Sequence, residues 1–209
     1  MKIFLDSANL KEIESVRGFI DGVTTNPTLV AKELGTRDKK SVYTYYQKIL
    51  ALVDGPVSLE VTEETYEGMV KQAKELAKLG GNVVVKVPVT SDGLRVVRTL
   101  SETIPFNVTL VMNVPQAIAA QNAGADYISP FIGRLDDYGS KGLVVLKCIR
   151  ETIDSSDILA ASIRSVGQID QCFALKVDCM TVPYTLLKEI MIHPKTDEGL
   201  KKFMEDWNG

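Results

Sequence analysis

Lys86 has the most unusual surroundings of any charged residue in the chain. It stands within Val83-Val84-Val85-Lys86-Val87-Pro88-Val89, with no charged neighbour in sequence. By the two-residue period of a strand it shares a face with Val84 and Pro88. Two roles suit such a lysine: a structural cation paired with a carboxylate, or a nucleophilic amine. Burial disfavours the ammonium form, so a desolvated lysine keeps a neutral fraction that can attack a carbonyl and form a Schiff base. No better-placed nucleophile competes with it. Schiff-base chemistry needs proton carriers, and Asp6 and Glu60 are the acidic residues within strand-like segments near it. Glu60, between Leu59 and Val61, suits acid/base work. Asp6, in DSANLKEIE, reads either as a proton carrier or as a helix cap, a role for which Ser7 and Asn9 are also competent.

A second group of residues points to an anion. Arg134 follows SPFIG and Arg164 follows ASI. With Ser162, and with Gly133 allowing close backbone approach, the two guanidinium groups suit a phosphate. Each arginine alone also reads as half of a surface ion pair, and Arg134 has Asp136 and Asp137 as candidate partners. The chain has 24 Lys+Arg against 27 Asp+Glu, a net charge of −3. That balance gives no basic footprint for nucleic acid or an anionic membrane. A single histidine, His193, argues against His-based triads and His-rich metal clusters. It is read as a solvent-side residue without a role, and no metal or other cofactor is expected. Cys148, Cys172 and Cys179 show no CxxC spacing and read as reduced core thiols, which implies a cytoplasmic protein. Ile3-Phe4-Leu5 is too short for a signal-peptide core, and no run approaches a membrane span.

These side chains need a frame, and the 209 residues supply a regular one. Strand-like runs at 2–6, 22–26, 57–61, 82–87, 106–111, 127–131, 158–162 and 179–183 alternate with segments of helical period. The latter cover 10–19, 39–53, 66–79, 94–101, 114–122, 141–153, 166–176 and 184–191. Tyr45 and Tyr46 belong to the second of these, as packing residues. NVVVKV and ILAAS are apolar on both faces, as a parallel sheet covered by helices requires. The expected fold is α/β, a (β/α)8 TIM barrel forming one domain over 1–209, at about 26 residues per unit. A doubly wound open sheet would place a glycine-rich phosphate loop after the first strand, and DSANL has no glycine. A further amphipathic helix is expected at 196–207, with Leu200, Phe203, Met204 and Trp207 on one stripe. That stripe needs a cover, either its own barrel or a neighbouring subunit.

In such a barrel the site lies at the C-terminal strand ends and the loops that follow. Read in order, these give Asp6; Thr24 and Asn26; Glu60; Lys86; Asn107 and Thr109; Ser129, Phe131 and Arg134; Ser162 and Arg164. So many polar groups at predicted interior positions are costly unless they converge on a ligand.

The motifs FLDSAN (4–9), GVTTNPTL (22–29), VVVKVPVT (83–90), NVTL (107–110), YISPFIGRLDD (127–137) and AASIR (160–164) are similar to those of the transaldolase family. Within it the chain resembles the short single-barrel members, which include the fructose-6-phosphate aldolases, over essentially its whole length. The resemblance implies Lys86 as Schiff-base lysine and Asp6 as the carboxylate that moves protons during C–C cleavage and formation. It implies Glu60 and Thr109 as the pair positioning a catalytic water. Thr24, Asn26, Asn107 and Ser129 match contacts to the dihydroxyacetone unit, and Arg134, Ser162 and Arg164 match the phosphate site. Fructose-6-phosphate aldolases carry Gln and Tyr where this chain has Glu60 and Phe131, so transfer of the three-carbon unit is implied over its release. Sugar phosphates are the implied substrates, with no cofactor. A ring-shaped homo-oligomer is implied, a decamer by family precedent, with the C-terminal helix on a neighbour. The alternatives are an aldolase releasing free dihydroxyacetone, or a non-catalytic sugar-phosphate-binding barrel.

Overall fold

The computed structural model describes residues 1–209. Its strands are β1 (Lys2–Asp6), β2 (Gly22–Thr24), β3 (Val57–Glu60), β4 (Val83–Pro88), β5 (Phe106–Val111), β6 (Tyr127–Pro130), β7 (Asp157–Ala160) and β8 (Cys179–Pro183). All pair in parallel, in sequence order, and β1 pairs with β8 to close the barrel. The strands start and stop within two residues of the expected limits. Between them run α1 (Leu10–Val16), α2 (Pro27–Leu34), α3 (Lys39–Leu52), α4 (Tyr66–Ala77), α5 (Ser91–Leu100), α6 (Val114–Ala123), α7 (Ile132–Asp137), α8 (Gly142–Thr152), α9 (Val166–Ala174) and α10 (Tyr184–Glu189). The C-terminal α11 (Pro194–Asn208) follows, slightly longer than the expected 196–207. This is the α/β TIM barrel with an extra helix.

Several boundaries follow from local capping. Asn26 does not extend β2. It caps α2, its Oδ1 accepting from Leu29 N–H at 3.0 Å with Pro27 in the first turn, where the missing proline N–H costs nothing. Thr90 caps α5 by accepting from Gly93 N–H, which starts that helix at Ser91 rather than Leu94. His193, expected to be idle on the surface, caps α11 through Nδ1, which accepts from Lys195 N–H at 3.1 Å.

Alternation along each strand sorts side chains to two cores. One face of every strand packs on the helices, where Val23, Leu59, Val85, Val87, Phe106, Val108 and Ile128 are fully buried. The opposite face lines the barrel, whose floor is a small cluster of Phe4, Leu159, Ala161 and Cys179, with Tyr127 and Phe131 packed against it. Gly22 makes room for that floor: a Cβ there would stand 3.1 Å from the Phe4 ring and 2.6 Å from the Pro56 carbonyl oxygen. Two residues further along each interior row, Phe4 gives way to Asp6, Gly22 to Thr24, Val84 to Lys86 and Cys179 to Thr181. The barrel therefore changes from apolar to polar toward its C-terminal mouth.

The core reading of the cysteines needs one correction, and one of the two covers open to the last helix falls away. Cys172 and Cys179 are buried, but Cys148 is exposed on α8. Burial pushes the Cys172 and Cys179 thiols up to about 12. The apolar stripe of α11 exists but covers nothing in the protomer: no residue of α11 is buried, and Phe203 and Trp207 are 70% and 85% exposed. No helix is long and apolar enough to cross a membrane.

Candidate active site

A pocket of about 220 Å³ opens at the C-terminal mouth, lined among others by Asp6, Thr24, Lys86, Ser129, Arg134 and Arg164. Every expected site residue except Glu60 and Thr109 borders it. Glu60 borders the adjoining pocket, together with Lys86 and Phe131. A larger cleft, of about 820 Å³, reaches Glu60 from outside between α2 and α3, but neither Lys86 nor Asp6 lines it.

Strand register assembles the catalytic candidates. Glu60 pairs with Lys86, and Lys86 with Asn107, so the three side chains project from neighbouring strands at one level. Lys86 Nζ lies 3.0 Å from Glu60 Oε2 and donates to the Thr25 carbonyl oxygen at 3.2 Å. The lysine side chain is 7% and the glutamate side chain 16% exposed, so their attraction is little screened. Asp6 stands opposite on β1 and does not cap α1; Asn9 does, accepting from Lys11 and Glu12 N–H. Asp6 Oδ1 accepts from Thr24 Oγ1 at 3.1 Å. Thr24 has one hydroxyl proton, so the 2.6 Å contact between Thr24 and Thr181 hydroxyls makes Thr181 the donor there. Burial raises the Asp6 carboxyl above the usual range; the Lys86 charge and the Thr24 hydrogen bond oppose that rise without cancelling it, and the Glu60 charge reinforces it.

The polar wall between these groups is internally ordered. Ser129 Oγ donates to Asn107 Oδ1 at 2.7 Å, and Asn107 Nδ2 donates to Ser58 Oγ at 3.1 Å, which sets the amide orientation. Thr109 Oγ1, on the next inward position of β5, is buried without a hydrogen-bond partner. Such a hydroxyl is costly unless something satisfies it.

The residues expected to meet a phosphate sit over the ends of β6 and β7. Arg134 is the third residue of α7, and its guanidinium lies 5.3 Å from the Phe131 ring centroid. It makes no ion pair with Asp136 or Asp137, contrary to expectation. Asp137 instead forms a two-pronged pair with Arg164 at 2.7 and 2.6 Å, while Asp136 accepts from Gln168 and from Gly142 N–H. Ser162 adopts a left-handed φ of 58°, and its carbonyl accepts from Gly133 N–H at 3.0 Å. That bond ties the two arginine-bearing loops together.

Sequence reasoning missed Thr25, Ser58, Thr181 and Leu110. Thr181 was within reach, since it is the inward residue of CMTVP one period beyond Cys179. Thr25 acts through its backbone and Ser58 behind the pocket wall, so neither carries a sequence signal.

A closed parallel barrel with a buried lysine, two carboxyl groups and two guanidinium groups at its mouth places the chain among (β/α)8 barrels with a polar site at the strand ends. Residues 3–209 match the family model described as Transaldolase/Fructose-6-phosphate aldolase. The chain is 50% identical to a probable transaldolase of Thermoplasma acidophilum, over 99% of this chain and 95% of that protein. It is 45% identical to probable transaldolases of Thermoplasma volcanium, over 99% and 95% of the two chains, and of Carboxydothermus hydrogenoformans, over 99% and 98%. The chain belongs to the transaldolase/fructose-6-phosphate aldolase family, which makes it an enzyme of the aldolase and transferase kind.

Proposed function

We propose that the protein is a transaldolase. It moves a dihydroxyacetone unit from a ketose phosphate, sedoheptulose 7-phosphate or fructose 6-phosphate, to an aldose phosphate, glyceraldehyde 3-phosphate or erythrose 4-phosphate. This is a step of the pentose phosphate pathway. The observation that carries the reading is Lys86: a buried amine at the floor of the mouth, with one carboxylate in contact and a second across the pocket. Lys86 passes one proton to Glu60, which lies 3.0 Å away, and attacks the donor C2 carbonyl as the neutral amine; the same proton returns to the carbinolamine hydroxyl, which leaves as water to give the iminium. Asp6, its carboxyl raised by burial, takes the C4 hydroxyl proton as the C3–C4 bond breaks. The aldose phosphate leaves, and the electron pair on C3 delocalises into the iminium nitrogen as an enamine. The enamine C3 then adds to the second aldehyde, and water hydrolyses the product imine. Glu60 and Thr109 hold that water; the unpartnered Thr109 hydroxyl supports this reading. Arg134, Arg164 and Ser162 bind the phosphate, and Asn26, Asn107, Ser129 and Thr24 contact the hydroxyls. Binding energy from the phosphate positions the reacting carbons.

Glu60 and Phe131 favour transfer over release of free dihydroxyacetone, because an amide and a phenol at these positions would hold and orient water differently. Release by an aldolase is the second reading, and the same residues serve it. Rates with fructose 6-phosphate in the presence and absence of erythrose 4-phosphate separate the two, since only a transferase needs the acceptor. Borohydride reduction with substrate followed by peptide mapping tests the nucleophile, and an adduct anywhere but Lys86 defeats the assignment. The uncovered stripe of α11 supports a ring-shaped homo-oligomer in which this helix packs on a neighbour. Three free cysteines suit the reducing cytoplasm.

A further inference from the structure

Leu110 lies in β5 with a φ of 62°, the left-handed region that a leucine rarely enters. The register shows why. Val108 stands opposite Ile128 and Val111 opposite Pro130, so between these pairs β5 takes three steps while β6 takes two. One residue of β5 is extra, which makes this a β-bulge. Without it, the outward Val108 would be followed by an outward Leu110 and an inward Val111. With it, Thr109 remains inward, Val111 returns to the helix-side core, and Leu110 is turned to the mouth. There the half-buried leucine borders the same pocket as Leu29, Glu60, Lys86, Phe131 and Arg134. A left-handed leucine is strained and persists only where the surrounding structure imposes it. Glycine or asparagine would take this conformation with little strain. The strained residue is also one of the few apolar side chains at an otherwise polar mouth.

We infer that Leu110 is a specificity-determining residue, an apolar wall that shields the lysine-bound intermediate from solvent and so biases it toward transfer. The inference rests on the Schiff-base transfer reading above. Both outcomes pass through the same enamine. In release, C3 takes a proton, the electron pair returns to give an iminium, and one water adds across C=N to free dihydroxyacetone and the amine. In transfer, C3 forms a bond to the acceptor carbonyl carbon, whose oxygen takes the proton, and the same hydrolysis follows. The hydrolysis is common to both, so the competition is decided by which electrophile reaches C3. Leu110, with Leu29 and Phe131, restricts the approach of water-borne protons on the side facing Glu60, while the aldehyde arrives guided by its phosphate.

Leu110→Asn and Leu110→Gly test this, because both residues accept the left-handed backbone while removing the apolar wall, and Leu110→Met restores the wall. Acceptor-free release from fructose 6-phosphate is measured against transfer to erythrose 4-phosphate, with borohydride trapping at Lys86 and thermal melting alongside. The Asn and Gly variants should raise release relative to transfer by about fivefold or more, and the Met variant should stay within about twofold of the parent. If one polar or small variant does not fold, the other carries the comparison. An unchanged ratio in a folded, trappable Asn or Gly variant overturns the inference, as does a parallel loss of both activities. Absence of a Lys86 adduct in the unsubstituted protein defeats the Schiff-base reading itself.

Discussion

Gly133→Ala should separate the proposed phosphate recognition from the proposed amine chemistry. A Cβ at this position would stand 2.2 Å from the Ser162 carbonyl oxygen, 2.8 Å from Arg164 Nε and 2.9 Å from Arg164 Cγ. Ordinary contact begins near 3.4 Å, and the first obstacle is backbone, so the loops after β6 and β7 must part by about an ångström. The separation stretches the Gly133 N–H to Ser162 bond and carries Ser162 and Arg164 away from Arg134. Overpacking of this kind costs about 1–3 kcal/mol. In a chain of this size each kcal/mol lowers Tm by roughly 2–4 °C. Helix propensity alone argues the opposite sign, since alanine is better than glycine inside α7 by about 1 kcal/mol. An ångström of misplacement at a binding clamp costs up to about a hundredfold in rate. The expected result is a Tm lower by several degrees and a kcat/KM for fructose 6-phosphate lower by about ten- to a hundredfold. Lys86 is on β4 with its own partners, so borohydride trapping with unphosphorylated dihydroxyacetone should be unchanged. Steady-state rates with the phosphorylated donor and trapping with the unphosphorylated fragment are the two assays. An equal fall in both, or a Tm that rises with rates intact, would refute the reasoning.

Asp6→Asn should abolish turnover yet stabilise the protein at neutral pH. The folded carboxyl is raised above its ordinary value of 3.8, so its favourable contribution is complete below that value and is lost as pH rises through the folded one; the Asn gain in Tm should be present at pH 7 and vanish toward pH 3. Phe131→Tyr combined with Glu60→Gln should raise acceptor-free cleavage relative to transfer, and an unmoved ratio would show that these positions do not separate the two activities. A thiol reagent at pH 8 should modify Cys148 rapidly in the folded protein and Cys172 and Cys179 only on unfolding, because both are buried and their thiols are pushed up to about 12; rapid modification of all of them would contradict the packing.

The barrel was legible because parallel strands buried on both faces leave an unmistakable apolar signature, as in Val83-Val84-Val85, and because Lys86 interrupts it. The strand-end rule then collected the mouth residues without any knowledge of distance. Short elements escaped: α7 has six residues, too few to display a period, and α2 was hidden behind the strand-like GVTTN. The ion-pair partner of Asp137 was illegible for a different reason. Arg134 is three residues away and Arg164 is distant in sequence, yet the close contact between the β6 and β7 loops at Gly133 gives Asp137 to Arg164. The bulge at Leu110 changes no composition and breaks no pattern, since FNVTLV reads as an uninterrupted strand. Only the register against β6 exposes the extra residue.

The charges at the mouth leave one cation unclaimed and another shared, an arrangement that suits the proposed phosphate. Arg134 rests on the Phe131 ring without a carboxylate partner, whereas Arg164 is held by Asp137 at a pair about half exposed. An exposed pair of this kind is worth little, on the order of 0–1 kcal/mol, so a phosphate can draw on Arg164 at small cost while Asp137 keeps the side chain ordered in its absence. Lys86 and Glu60 form the opposite case, a buried pair whose separation would strand a charge. In the proposed mechanism the imine nitrogen would still carry positive charge as the iminium, so Glu60 would keep a cationic partner through the covalent stages. Asp6 lacks a direct cation contact and is raised by burial, which suits it to the proton exchange proposed at the substrate hydroxyl. The proposed roles of the two carboxyl groups thus follow from their environments: Glu60 would balance the charge at nitrogen and Asp6 would exchange the proton at oxygen.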